Sequence, residues 1–70
     1  MNLSIAPMGV ALKILKIKIE GDQKKLLANM GFVVDANVTV VAENAGNLII
    51  NIKDSRVAID LAKKIMVSPV

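Results

Sequence analysis

Residues 15–20 alternate strictly, with Leu15, Ile17 and Ile19 on one side of an extended chain and Lys16, Lys18 and Glu20 on the other. A period of two with one apolar side is the mark of a half-buried strand. Leu12 and Ile14, just upstream, have the opposite parity, so a bulge or bend is expected near residues 14 and 15. Bends of that kind let short strands curl into a barrel. Leu3 and Ile5, ahead of Pro7 and Gly9, predict a shorter strand at the N-terminus.

Gly21-Asp22 stops the alternation, and the period then changes. Leu26, Leu27 and Met30 stand at i, i+1 and i+4, followed by Gly31. This predicts a short amphipathic helix capped by Asp22 and ended by a left-handed Gly31. Two β-rich runs, residues 37–43 and 48–53, flank Asn44-Ala45-Gly46-Asn47 and read as a hairpin. A tight turn at Asp54-Ser55 leads into a further strand over residues 56–59. Asp60 can cap a closing helical turn with Leu61, Ala62 and Ile65 inward and Lys63 and Lys64 at its C-terminal end, where the helix dipole favours cations; Val67 completes the pattern. About five short strands, one inserted helix and a C-terminal helical turn describe a mainly β domain over residues 1–70, a small closed barrel with few free edges. Leu26, Met30, Val40, Ile50 and Ile59 are the expected core.

Composition sharpens this picture. The chain has 70 residues, 54% of them hydrophobic, with Phe32 the one aromatic and neither Cys nor His. So short a chain buries only about 60% of its unfolded surface, so its aliphatic core must be dense. No disulfide can staple it, and metal sites built on thiolate or imidazole are excluded. No N-terminal signal pattern is visible and the longest uncharged apolar stretch, around residues 30–34, is far short of the ~20 residues a membrane span requires. A cytoplasmic location is expected. Residues 1–30 carry five lysines against Glu20 and Asp22, whereas residues 31–70 hold four basic and four acidic groups that cancel. The net +3 therefore lies on one side of the sequence, as an anionic partner surface or a solvated strand face would have it.

The candidate chemistry is thin. Without His, Cys, Tyr or Trp, the available acids, bases and nucleophiles reduce to six carboxylates, the lysines, and the hydroxyls of Ser4, Thr39, Ser55 and Ser68. Asp22, Asp54 and Asp60 already have cap and turn explanations. The glycines stand isolated, so no phosphate-binding loop is present. Glu20 with Asp22 is the one close acidic pair, too few oxygens for a hard cation, and Met8, Met30 and Met66 fall at apolar positions that packing explains. Single-strand nucleic-acid binders add aromatic platforms to a basic groove; Phe32 directly follows the helix-ending Gly31 and reads as core. No catalytic residue, cofactor, metal ligand or nucleic-acid partner is therefore expected. Lys24 and Lys25 break a local rule, because the first turn of a helix prefers acids. Such positions are where a partner contact is sought, unless their stems simply cover apolar barrel surface.

Taken in order, Gly9, Ile14, Ile17, Gly21, the segment Leu26-Leu27-Ala28-Asn29-Met30-Gly31-Phe32, the run Val38-Thr39-Val40-Val41, Gly46-Asn47 with Leu48-Ile49-Ile50, and Ser55-Arg56-Val57-Ala58-Ile59 ahead of Ala62, Ile65 and Val67 resemble the FeoA family over essentially the whole chain. The resemblance implies an SH3-like barrel that serves ferrous iron uptake in the cytoplasm. Its implied partner is the cytosolic portion of the FeoB-type membrane GTPase, so any membrane association would be indirect. Two features depart from the family pattern. Lys25 stands where the family usually has Arg, which removes a bidentate contact. Asp35-Ala36 stands where it has Pro-Gly, and Ala36 is expected to resist a positive φ that Gly accepts.

The expected function is binding and modulation or assembly of that transporter, with Lys24 and Lys25 as the contact and the apolar rim around Met8 and Phe32 as the second candidate. The alternative is an SH3-like module binding RNA or a regulatory protein through the Lys13 to Lys25 face, which added salt would weaken steeply in the RNA case. The sequence leaves self-association and weak Fe²⁺ contact open. With no imidazole or thiolate and only scattered carboxylates, the monomer is expected to hold no tight stoichiometric Fe²⁺ site. Anaerobic titration calorimetry checks this, and one-to-one binding at micromolar affinity would refute it.

Overall fold

The computed structural model describes residues 1–53, 55–60 and 62–70. Strands β1 (Ala11–Ile17), β2 (Asn37–Asn44), β3 (Asn47–Ile52), β4 (Ser55–Ile59) and β5 (Ile65–Pro69) form one antiparallel sheet in the order β4-β3-β2-β1-β5. A single helix, α1 (Asp22–Asn29), is inserted between β1 and β2, and a 3₁₀ turn (Ala62–Lys64) carries the chain from β4 to β5. The tight turn at Asp54 and the inward placement of Leu61 lie outside the described residues.

β1 sets the curvature. Its register against β5 shifts between Ile14 and Lys16, which is the bulge expected from the change of parity. Leu12 and Ile14 are buried before the shift and Ile19 after it, while Leu15, the extra residue, is turned to solvent. The strand therefore starts earlier than its clean alternation suggested, and Leu15 is not on the inner face. Pairing with β2 is confined to residues 11–13. Beyond that the loop after α1 takes over: the Ile14 amide donates to the Ala36 carbonyl at 2.9 Å and the Asp35 amide to the Ile14 carbonyl at 2.8 Å. β2 carries a second register shift between Val40 and Ala42, which bends the sheet again.

The β2–β3 connection is tighter than the four-residue reading. Asn44 pairs with Asn47, leaving Ala45 and Gly46 as a two-residue turn with φ of 52° and 84°, the signs of a type I′ hairpin turn. The N-terminal segment is not a strand. Residues Leu3–Ile5 form a 3₁₀ turn held by the Asn2 side chain, which accepts from the Ser4 amide, with Leu3 buried and Ile5 exposed. A polar Asn-x-Ser opening favours this local bond over a ladder.

α1 differs at both of its ends from a simple capped helix. Its N-cap is Gly21, at φ 72° and ψ −148°, with no side-chain cap, so Asp22 is the first helical residue and interacts with the helix dipole rather than capping it. At the C-terminus the Phe32 amide donates to the Leu27 carbonyl at 2.9 Å and the Gly31 amide to the Ala28 carbonyl at 3.0 Å, the paired bonds of a Schellman ending. Gly31 supplies the required positive φ, 98°. This ending fixes which leucine enters the core: Leu27 is 5% exposed and packs inward with Phe32, whereas Leu26 is 60% exposed. Leu26 is therefore a surface residue, contrary to its expected place in the core, and Met30 only partly packs against it. In the loop beyond Phe32 the left-handed position is Asp35, at φ 74°, and not Ala36. Asp tolerates that region better than Ala does.

Inward residues of all five strands meet in one aliphatic cluster in which Val40, Ile50 and Ile59 are buried as expected. No polar or charged side chain is buried among the described residues. The sheet curls into a barrel in which, among those residues, no ladder joins β4 to β5. Leu27→Ala and Ile50→Ala should each cost on the order of 2–5 kcal/mol, much of what so small a domain possesses, while Leu26→Ala should stay within about 0.5 kcal/mol. Denaturant unfolding of the three variants measures the contrast. Ala45→Asn should stabilise the hairpin by about 1 kcal/mol, because Asn accepts the left-handed region that Ala resists; a rise in thermal midpoint is the readout.

Candidate interaction surface

The two lysines that break the dipole preference are both exposed at the start of α1. Consecutive helical positions point about 100° apart, so they face different surroundings. Lys24, with Ala28 one turn on, lines a cavity of roughly 300 Å³ together with Lys16, Ile17, Phe32, Val33 and Val34. Lys25 is exposed at the next position round the helix and is not part of that lining. The lining thus includes Lys24 and Lys16 of β1, a lysine from the alternating strand, but not Lys25, the sequence neighbour of Lys24.

The surroundings of this pair are apolar. Val33 and Val34 follow the Schellman ending, and both are exposed. They leave the core because Phe32 alone occupies the inward position after Gly31. Leu15 is exposed at the bulge, and Ile14, before it, exchanges backbone bonds with the loop that carries these valines. Neither feature was read from sequence as surface. The signal was present in the run of three apolar residues after Gly31, not all of which a short loop can turn inward.

The second candidate divides. Met8 is 55% exposed, in the loop where the Gly9 amide donates to the Val40 carbonyl at 2.8 Å. Phe32 is 1% exposed, so its ring belongs to the core and touches the surface only as part of the lining of the Lys24 cavity. Lys13 and Asp35 form an ion pair at 3.6 Å, both exposed, which contributes little to stability.

Ammonium groups beside aliphatic side chains suit a partner that offers both acidic and apolar groups. No group of three or more His, Cys, Asp or Glu side chains able to hold a metal occurs among the described residues, and no helix among them is long and apolar enough to cross a membrane.

Comparison with known proteins decides the family. The model of the FeoA domain matches residues 1–69. The chain belongs to the FeoA domain family. No curated protein matches it. Among solved structures, the solution structure of iron(II) transport protein A from Clostridium thermocellum superposes with a TM-score of 0.92 at 24% identity, covering 100% of this chain and 46% of that one. The present FeoA domain thus spans less than half the length of that protein. A crystal structure described as iron uptake regulatory protein (FeoA) gives a TM-score of 0.83 at 26% identity, covering 100% of this chain and 97% of the other. The fold is the mainly β, SH3-like barrel of these FeoA structures, with five antiparallel strands, one helix and 3₁₀ turns.

Proposed function

We propose that this FeoA domain is a cytoplasmic accessory of ferrous iron uptake that docks on the cytosolic portion of a FeoB-type membrane GTPase and modulates or assembles it. The observation that carries this reading is the family match over residues 1–69. The surface chemistry supports a docking role over a catalytic one. Among the described residues the charged groups are exposed, the core is aliphatic apart from Phe32, and no nucleophile is brought together with a base in a buried site.

The docking contact in this reading includes Lys24 and Lys25, with Lys24 the stronger contributor because it shares an apolar cavity with Lys16. The expected consequence separates binding from folding. Reversing both lysines to Glu should leave unfolding unchanged or slightly raise the midpoint, since acids suit the first helical turn. Affinity for the cytosolic GTPase portion should fall several-fold at low salt, most of it reproduced by Lys24→Glu alone. Thermal unfolding and a binding titration run in parallel check both halves. Unchanged affinity at low salt would remove these lysines from the interface.

A further inference from the structure

We propose that the outer edge of β4 and the facing side of α1 form a docking groove for an extended segment of another protein, which would join the sheet as a sixth strand. The proposal rests on the reading of this chain as a docking module, and it names a surface that adjoins the Lys16–Lys24 cavity only at Ala28.

The two edges of the sheet are treated differently. β5 is covered by the chain's own start: the Met1 ammonium donates to the Val67 carbonyl at 3.1 Å, the Val67 amide donates to the Met1 carbonyl at 2.8 Å, and Asn2 bridges to Met66. β4 pairs only with β3, and among the described residues its outer edge has no backbone partner. An open edge is a template for strand addition unless something guards it.

Alongside that edge runs a groove. One cavity of roughly 450 Å³ lies between Ala28, Met30 and Gly31 on the helix side and Ile52 of β3 with Ser55 and Val57 of β4 on the strand side. A second, of roughly 220 Å³, lies between Leu26 and Met30 on the helix side and Ala58 and Ile59 on the strand. They share Met30 and together follow β4 from end to end, with α1 as the opposite wall. The Schellman ending explains the apolar lining, because sending Leu27 inward leaves Leu26, 60% exposed, on this flank.

Size and charge indicate the occupant. β4 has five residues, a length of roughly 17 Å. A stable dimer buries about 800 Å² per partner, about a fifth of this chain's 4399 Å² surface, and a five-residue strand pair does not reach that. A single extended segment lying between α1 and β4 is covered from both sides and fits the groove as it stands. Lys53 lines one end and Asp60 the other. The segment therefore carries an acidic residue at the Lys53 end, a basic one at the Asp60 end, and aliphatic side chains at alternate positions between them, against Leu26 and Met30.

The test selects a phage-displayed library of random octapeptides against the folded chain and follows a synthetic consensus peptide by amide NMR and hydrogen exchange. Expected are alternating aliphatic residues between an acid and a base, shift changes confined to residues 55–60 and the Leu26–Met30 side of α1, and at least tenfold slower exchange of β4 amides. Leu26→Asp, at an exposed position, should weaken binding at least tenfold, and Ala58→Pro should do the same by removing an edge amide; Leu15→Asp should change nothing. Failure to select any peptide, shifts mapped elsewhere, or equal affinity for Leu26→Asp would overturn the groove. So would sedimentation showing a dimer that Leu26→Asp dissociates, since the occupant would then be a second copy. No transporter enters these measurements, so a failed groove leaves the GTPase titration to stand or fall by itself.

Discussion

The bulge in β1 is the constraint on which the rest of the fold depends. By shifting register between Ile14 and Lys16, it turns one strand through a corner, so that Leu12 and Ile14 before it and Ile19 after it all reach the same core. An unbroken strand would place one of these sets on the solvent side. The corner also ends pairing with β2 after Lys13 and hands Ile14 to the loop after α1. The helix is thereby tied to the sheet through backbone bonds on both sides of Ile14.

The helix C-terminus is the second fixed point. The paired bonds from Gly31 and Phe32 orient the last turn so that Leu27 and Phe32 enter the core together, and each buried side chain of that size contributes roughly 1.5–3 kcal/mol. Everything else on α1 follows from that orientation. Leu26 faces the β4 side, Lys24 faces β1, Ala28 stands between the two, and Val33 and Val34 beyond Phe32 are left outside. A helix of eight residues is too short to hold itself in water, so its packing through Leu27 is also what keeps its charged N-terminal turn presented.

A core built almost entirely from aliphatic side chains, with no buried polar group among the described residues, avoids desolvation costs but offers no preorganised chemistry. What the described residues of the FeoA domain present to their surroundings is shape, a β4 edge without a backbone partner among them, and ammonium groups beside apolar side chains. These are the means of recognition between proteins.

The sequence by itself determined what local rules govern. The parity change at Ile14 and Leu15 announced the bulge, Gly31 announced the helix end, and Asn44 to Asn47 announced the hairpin, because each depends on backbone preferences within a few residues. The order of family motifs from Gly9 to Val67 was legible for the same reason. Tertiary structure alone decided which of two adjacent leucines is core, since Leu26 and Leu27 fit the helical period equally and only the docked Phe32 selects between them. It decided that Lys24 lines one cavity with Lys16 of β1 and that Phe32 is almost wholly buried. It also decided that the N-terminal segment covers the β5 edge while, among the described residues, the outer edge of β4 has no backbone partner, because edge pairing joins residues as distant as Met1 and Val67 and no local pattern records it.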